Sequence, residues 1–159
     1  MKPKPIPRSK AKTAYGLVSD VIRAIEEEPR RVDMATLRQK VSPQMGGPAC
    51  GTVGCFAGWV SILAGKMPPK VKTGEIELGV GYGPEETHAR LVLGEECDYS
   101  DRAIRSSYWD HNDGGYVFEA TGKDIRGDVG SREYARSVIN RIRRFQKKNA
   151  TLLRAKKLR

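Results

Sequence analysis

A chain of 159 residues can bury a core without disulfide or metal staples, and a composition of 38% hydrophobic and 30% charged residues excludes an intrinsically disordered polymer. The formal net charge of +10 is unevenly spread: residues 131–159 hold eleven Lys and Arg against one acid, Glu133, while residues 1–130 sum to zero. The longest apolar stretch, residues 53–64, falls short of the roughly 20 residues that a membrane-spanning helix needs, so no span is expected.

The first twelve residues carry five bases, no acid and three prolines, which predicts a disordered basic arm over 1–12. No apolar run follows the early charges, so no export signal is read there, and three cysteines suit a reducing cytoplasm better than a disulfide framework. Leu17, Val18, Val21, Ile22 and Ile25 fall at helical spacing and predict an amphipathic helix over 15–28, stopped by Pro29. Asp33 is placed to cap a short second helix through Met34, Leu37 and Val41.

Thr52 is expected to cap a helix over 53–64, ended by Gly65 and apolar nearly all the way round, which marks it as the buried centre of the fold. Gly54, Ala57, Gly58 and Ser61 give that helix one small-residue side for a close neighbour. Weak alternation over 70–83 suggests a short hairpin. Pro84 opens a helix to Leu93, stopped by Gly94, and a further helix is expected over 100–109, followed by a glycine- and aspartate-rich connection containing one strand at 116–118.

Ser131 caps the last helix, which carries Tyr134, Val138, Ile142, Phe145 and Leu152 as an apolar stripe and Arg132, Arg136, Arg143, Lys147 and Arg154 on the opposite face. Unbroken, it would be about 40 Å long. The stripe weakens after Phe145, so the division expected is a disordered arm over 1–12, one helix-rich domain over 13–145 and a basic helical extension over 146–159. The fold class is mainly α: a compact helical domain around one buried apolar helix, with at most a short β-hairpin and a long basic C-terminal helix.

The segment Cys50-Gly51-Thr52-Val53-Gly54-Cys55-Phe56-Ala57-Gly58-Trp59 resembles the Cys-Gly-Thr-x-x-Cys-x-Ala-Gly signature of a diffuse set of small bacterial and bacteriophage proteins with no assigned activity. Residues 29–34 and 89–94 look similar as well. The resemblance implies a bacterial or phage origin and carries over no catalytic residue.

Cys50 and Cys55 stand at a spacing seen in zinc sites, with Cys97, His88 and His111 as further candidates, but no second tight pair completes the pattern and Cys55 falls in an apolar stretch. Cys50, read as lying just before a helix N-terminus, is a conceivable nucleophile with His88 or His111 as base; the simpler reading is that it shapes the helix entrance. The glycines at 79, 81 and 83 match no phosphate-binding fingerprint, and residues 110–121 lack the glutamate of a calcium loop. No cofactor is implied.

The feature that points to a partner is the basic C-terminal region. It suggests a non-enzymatic cytoplasmic accessory protein that contacts nucleic-acid phosphates through Arg132, Arg136, Arg143, Arg144, Lys147, Lys148, Arg154, Lys156 and Lys157. The alternatives are a phage or mobile-element protein that uses the same residues against an acidic host protein surface, and a small cysteine-dependent enzyme.

Overall fold

The Thr13 hydroxyl accepts the Gly16 N–H at 3.2 Å and so caps α1 (Ala14–Glu27), satisfying one of the donors that every helix start leaves open. The computed structural model to which this helix belongs describes residues 4, 6–34, 38–65, 84–99, 108–110, 115–117 and 126–158. Beyond α1 the chain runs through β1 (Arg38–Lys40), β2 (Thr52–Gly54), α2 (Phe56–Ala64), α3 (Pro84–Leu93), β3 (Tyr108–Asp110), β4 (Gly115–Val117), α4 (Arg132–Lys148) and α5 (Ala150–Ala155). The architecture is mainly helical, as its composition and periodicity predict. None of the described helices is long and apolar enough to cross a membrane.

Helix α2 is the centre. Phe56, Ala57, Gly58, Trp59, Val60, Ser61 and Leu63 are all buried on it, as its unbroken apolar sequence requires. Leu17, Val21 and Ile25 of α1 and Val138, Ile142 and Phe145 of α4 complete the core, in which Phe56 meets Phe145 edge-on at 5.8 Å. The small-residue side of α2 faces α3: the Ser61 hydroxyl lies 2.7 Å from His88 Nδ1. Gly65 closes α2 in the left-handed conformation at φ 79°, and its N–H reaches the Ile62 carbonyl.

Around this core the backbone departs from several expectations. Thr52 does not cap α2; Thr52–Gly54 pairs antiparallel with Arg38–Lys40, and the helix starts after Cys55. Thr and Val favour an extended pleat, and here the pairing with β1 wins over the capping role. Of the short helix expected from Asp33 to Val41, residues 38–40 are strand, and residues 35–37, Leu37 among them, lie outside the described residues. Val32 bridges Gly54 in parallel and the Asp33 N–H donates to the Gly54 carbonyl, which holds the chain extended where that helix would begin. Trp59 locks this corner, its indole N–H donating to the Arg31 carbonyl at 2.8 Å.

A second antiparallel pair, β3 with β4, takes up Tyr108 and Trp109, which sequence had placed at the end of a helix; the strand expected at 116–118 is seen as Gly115–Val117. The rest of that helix, the hairpin at 70–83 and His111 lie outside the described residues. Among the described residues there are two two-stranded ladders, a minor part of a mainly helical fold.

The described residues near both ends of the chain are tied to the body. Ser9 donates its N–H to the Leu63 carbonyl and its hydroxyl to Asp20, so residues 6–12 pack on α1 and α2 and do not trail as an arm. At the other end the helix is interrupted at Asn149, and α5 turns back on the body. Thr13 and Lys157 form an antiparallel bridge, the Ala14 N–H reaches the Lys156 carbonyl, and the Leu158 N–H reaches the Lys12 carbonyl. Residues 146–158 are thus held by buried Leu153, Gln146 and Asn149 and do not project as an extension.

Candidate nucleic-acid interface

Ser131 caps α4 by accepting the Tyr134 N–H at 3.1 Å, and Glu133 lies in the first turn, where an acid suits the helix dipole. From that start the helical repeat sorts the side chains cleanly. Tyr134, Ala135, Val138, Ile139, Arg141, Ile142, Phe145 and Gln146 are buried, while Arg132, Arg136, Arg143, Arg144, Lys147 and Lys148 are exposed. The apolar face buries against α1 and α2, which leaves the cations the solvent side.

Four of those cations share one narrow row. At 100° per residue, Arg132, Arg136, Arg143 and Lys147 fall within about 60° of one another, along about 22 Å of helix. Asn140 stands beside the row. Arg144 and Lys148 lie on the far flank of the solvent face, and Lys148 is paired with Asp98 at 2.9 Å. Arg154 of α5 is stacked over the Tyr15 ring at 4.3 Å, and Lys156 and Lys157 belong to the strand-like pairing that joins the two chain ends. Arg141, although basic, is 4% exposed and points inward. The nine residues singled out from sequence therefore divide: the structure lines up four and distributes the other five over separate surroundings.

The row runs along the seam with α1. Gln146 Nε2 donates to the Tyr15 carbonyl at 3.1 Å and to the Ser19 hydroxyl at 2.8 Å, fixing the two helices antiparallel. Toward the other end of α1 the seam opens into a groove of about 400 Å³, with Ile25, Pro29, Ala135 and Ile139 along its floor and Arg132, Arg136, Asn140, Arg143 and Glu26 at its edges. Arg143 Nη2 donates to Glu26 at 2.6 Å, both side chains about half exposed. Arg132, Arg136 and Lys147 have no ion pair among the described residues. Near the groove's end, Arg30 holds Glu28; the hydrogen bond between them keeps the Glu28 carboxyl below its ordinary range. Glu26 has no signal in the sequence, because 117 residues separate it from its partner.

Among the described residues the cysteine and histidine candidates are not gathered into a metal-binding group. Cys50 sits on a turn six residues before the first residue of α2, where its thiol donates to the Thr52 carbonyl, so it lacks the helix N-terminus that suggested a nucleophile. Cys55 is buried at the start of α2, the Cys97 thiol donates to the Leu93 carbonyl, and His88 faces Ser61. Burial pushes the Cys97 thiol up from its ordinary value, which suits a thiol kept protonated. Among the described residues no group of three or more His, Cys, Asp or Glu could hold a metal ion, and the three cysteines form no disulfide.

No protein-family model matches the chain, and no curated protein or solved structure matches it.

Proposed function

We propose that this protein is a non-enzymatic accessory protein of a bacterial or phage system, cytoplasmic, that binds nucleic acid through its backbone phosphates. One observation carries the reading: Arg132, Arg136, Arg143 and Lys147 form an exposed row on a rigid, capped helix, and three of the four lack an acid partner among the described residues. A protein uses long exposed cations for solubility as scattered points. A row at regular helical spacing is what a linear polyanion matches, because each cation can take a phosphate and release its condensed counterion. Phosphate contacts of this kind carry no base information, so binding is weakly selective for sequence.

The test is fluorescence anisotropy with a labelled mixed-sequence duplex and its single strand, starting at about 50 mM salt, where surface electrostatics are strong. Binding with a logarithmic salt slope of roughly −3 to −4 is expected for three to four phosphate contacts on duplex DNA. Absence of binding to either strand at that salt would reject the reading. Capture of an acidic protein in its place would favour the host-protein modulator, for which the groove's apolar floor of Ile25, Pro29 and Ile139 offers a seat.

A further inference from the structure

The groove between α1 and α4 already contains an anion. Glu26 places its carboxylate on Arg143, in line with two arginines of the same row, Arg132 and Arg136, that have no such partner among the described residues. An exposed ion pair is weak in water, while a guanidinium binds a phosphate diester through paired, charge-assisted hydrogen bonds. Along the axis, Arg132 and Arg136 are about 6 Å apart and Arg136 and Arg143 about 10 Å. A nucleic-acid strand rises about 3.4 Å per phosphate, so these intervals correspond to about two and three nucleotides, within the reach of arginine side chains.

Resting on the nucleic-acid reading, we propose that this groove is the phosphodiester site itself, and that Glu26 is an internal placeholder on Arg143 which the strand must displace. Arg132 and Arg136 take the first phosphates. The strand's next phosphate then competes with the Glu26 carboxylate for Arg143. Single anions gain little from that exchange, because they meet one guanidinium and leave the carboxylate nearby. A linear polyanion held at Arg132 and Arg136 presents its next phosphate at high local concentration and drives Glu26 off. Glu26 thereby lowers affinity for small anions and sharpens the preference for a strand.

Anisotropy against salt on the full chain separates the possibilities. Arg132→Ala with Arg136→Ala should flatten the slope by nearly two units, at about 0.9 per phosphate contact. Lys10→Ala with Arg23→Ala removes the same charge away from the groove and should leave the slope as in the parent. Glu26→Gln, at a half-exposed position, should bind severalfold more tightly with the parental slope, because Arg143 meets its phosphate in both proteins and only the competing carboxylate is gone, and its melting temperature should be unchanged. If the parent binds but the Arg132/Arg136 variant behaves like the Lys10/Arg23 variant, the groove is wrong and the nucleic-acid reading survives. If Glu26→Gln binds with parental affinity, the placeholder role is refuted. If the parent binds no nucleic acid and is captured instead by polyglutamate, both readings fall together.

Discussion

Asn149 and Asp98 are joined like two residues of a sheet: the Asn149 Oδ1 accepts the Asp98 N–H at 2.7 Å, and its Nδ2 donates to the Asp98 carbonyl at 3.2 Å. The same Nδ2 donates to the Phe145 carbonyl at 3.0 Å, which satisfies a carbonyl near the end of α4. One buried amide thus ends a helix, turns the chain into α5 and anchors the segment after α3. Asn149→Ala should destabilise the protein by about 1–3 kcal/mol, since groups paired with a buried side chain lose their partner. Asn149→Asp keeps the acceptor and loses both donations, so it should fall on the same side of the parent. Urea unfolding followed by circular dichroism measures both.

The turn at Asn149 also decides which leucine matters. Leu153 is fully buried, whereas Leu152 is 39% exposed. Leu153→Ala should therefore cost about 2–5 kcal/mol, and Leu152→Ala much less. Removing residues 150–159 should lower the melting temperature at least as far as Leu153→Ala does, because it also strips the bridge from Thr13. A truncated chain that melts with the parent would show that α5 contributes nothing to the body.

Much of the helical frame is legible in the sequence because it rests on local signals. Pro29 after α1, Gly65 after α2, Gly94 after α3 and Ser131 before α4 each act within a turn of their own position, and the structure uses all four as the sequence indicates. What escapes is non-local. Thr52 carries a capping signal, yet a strand from residues 38–40 claims its backbone. The stripe of α4 continues past Phe145 in sequence, yet Asn149 finds Asp98, 51 residues away, and breaks the helix there. For the candidate interface, the cations are visible in composition and their common row follows from helical spacing. Glu26 opposite Arg143 emerges only when α1 and α4 are packed together.

The small side of helix α2 is buried. Gly58 is buried there, one turn before the Ser61 hydroxyl meets His88 of α3. Gly58→Leu should cost about 1–3 kcal/mol or more through overpacking. Met45→Ala removes a side chain that is 80% exposed and should stay within about 0.5 kcal/mol of the parent. Equal melting temperatures for the two variants would contradict the position of α2 at the centre.

Alkaline pH should unfold the protein by a route that runs through buried hydroxyls and a thiol. Tyr134 accepts the Met34 N–H at 2.9 Å deep in the core, and burial pushes its phenol above the ordinary value; burial raises Tyr99 and Cys97 in the same direction. In each case the folded state disfavours the charged form, so the unfolded chain loses its proton first. Their contribution is fully present below the unfolded pKa, about 8.5 for a thiol and about 10 for a phenol, and is lost as pH rises through the folded values. The melting temperature should hold steady from about pH 6 to 8 and fall from about pH 9 upward. Tyr134→Phe separates this from general charge repulsion. At neutral pH it should be less stable by about 1–3 kcal/mol, because the Met34 N–H is left buried without its acceptor. Above about pH 10 its decline should be shallower than the parent's, since one ionisation has been removed from the unfolded side. Parallel decline of the two proteins in a pH series of thermal melts would show that Tyr134 is not among the groups that limit alkaline stability.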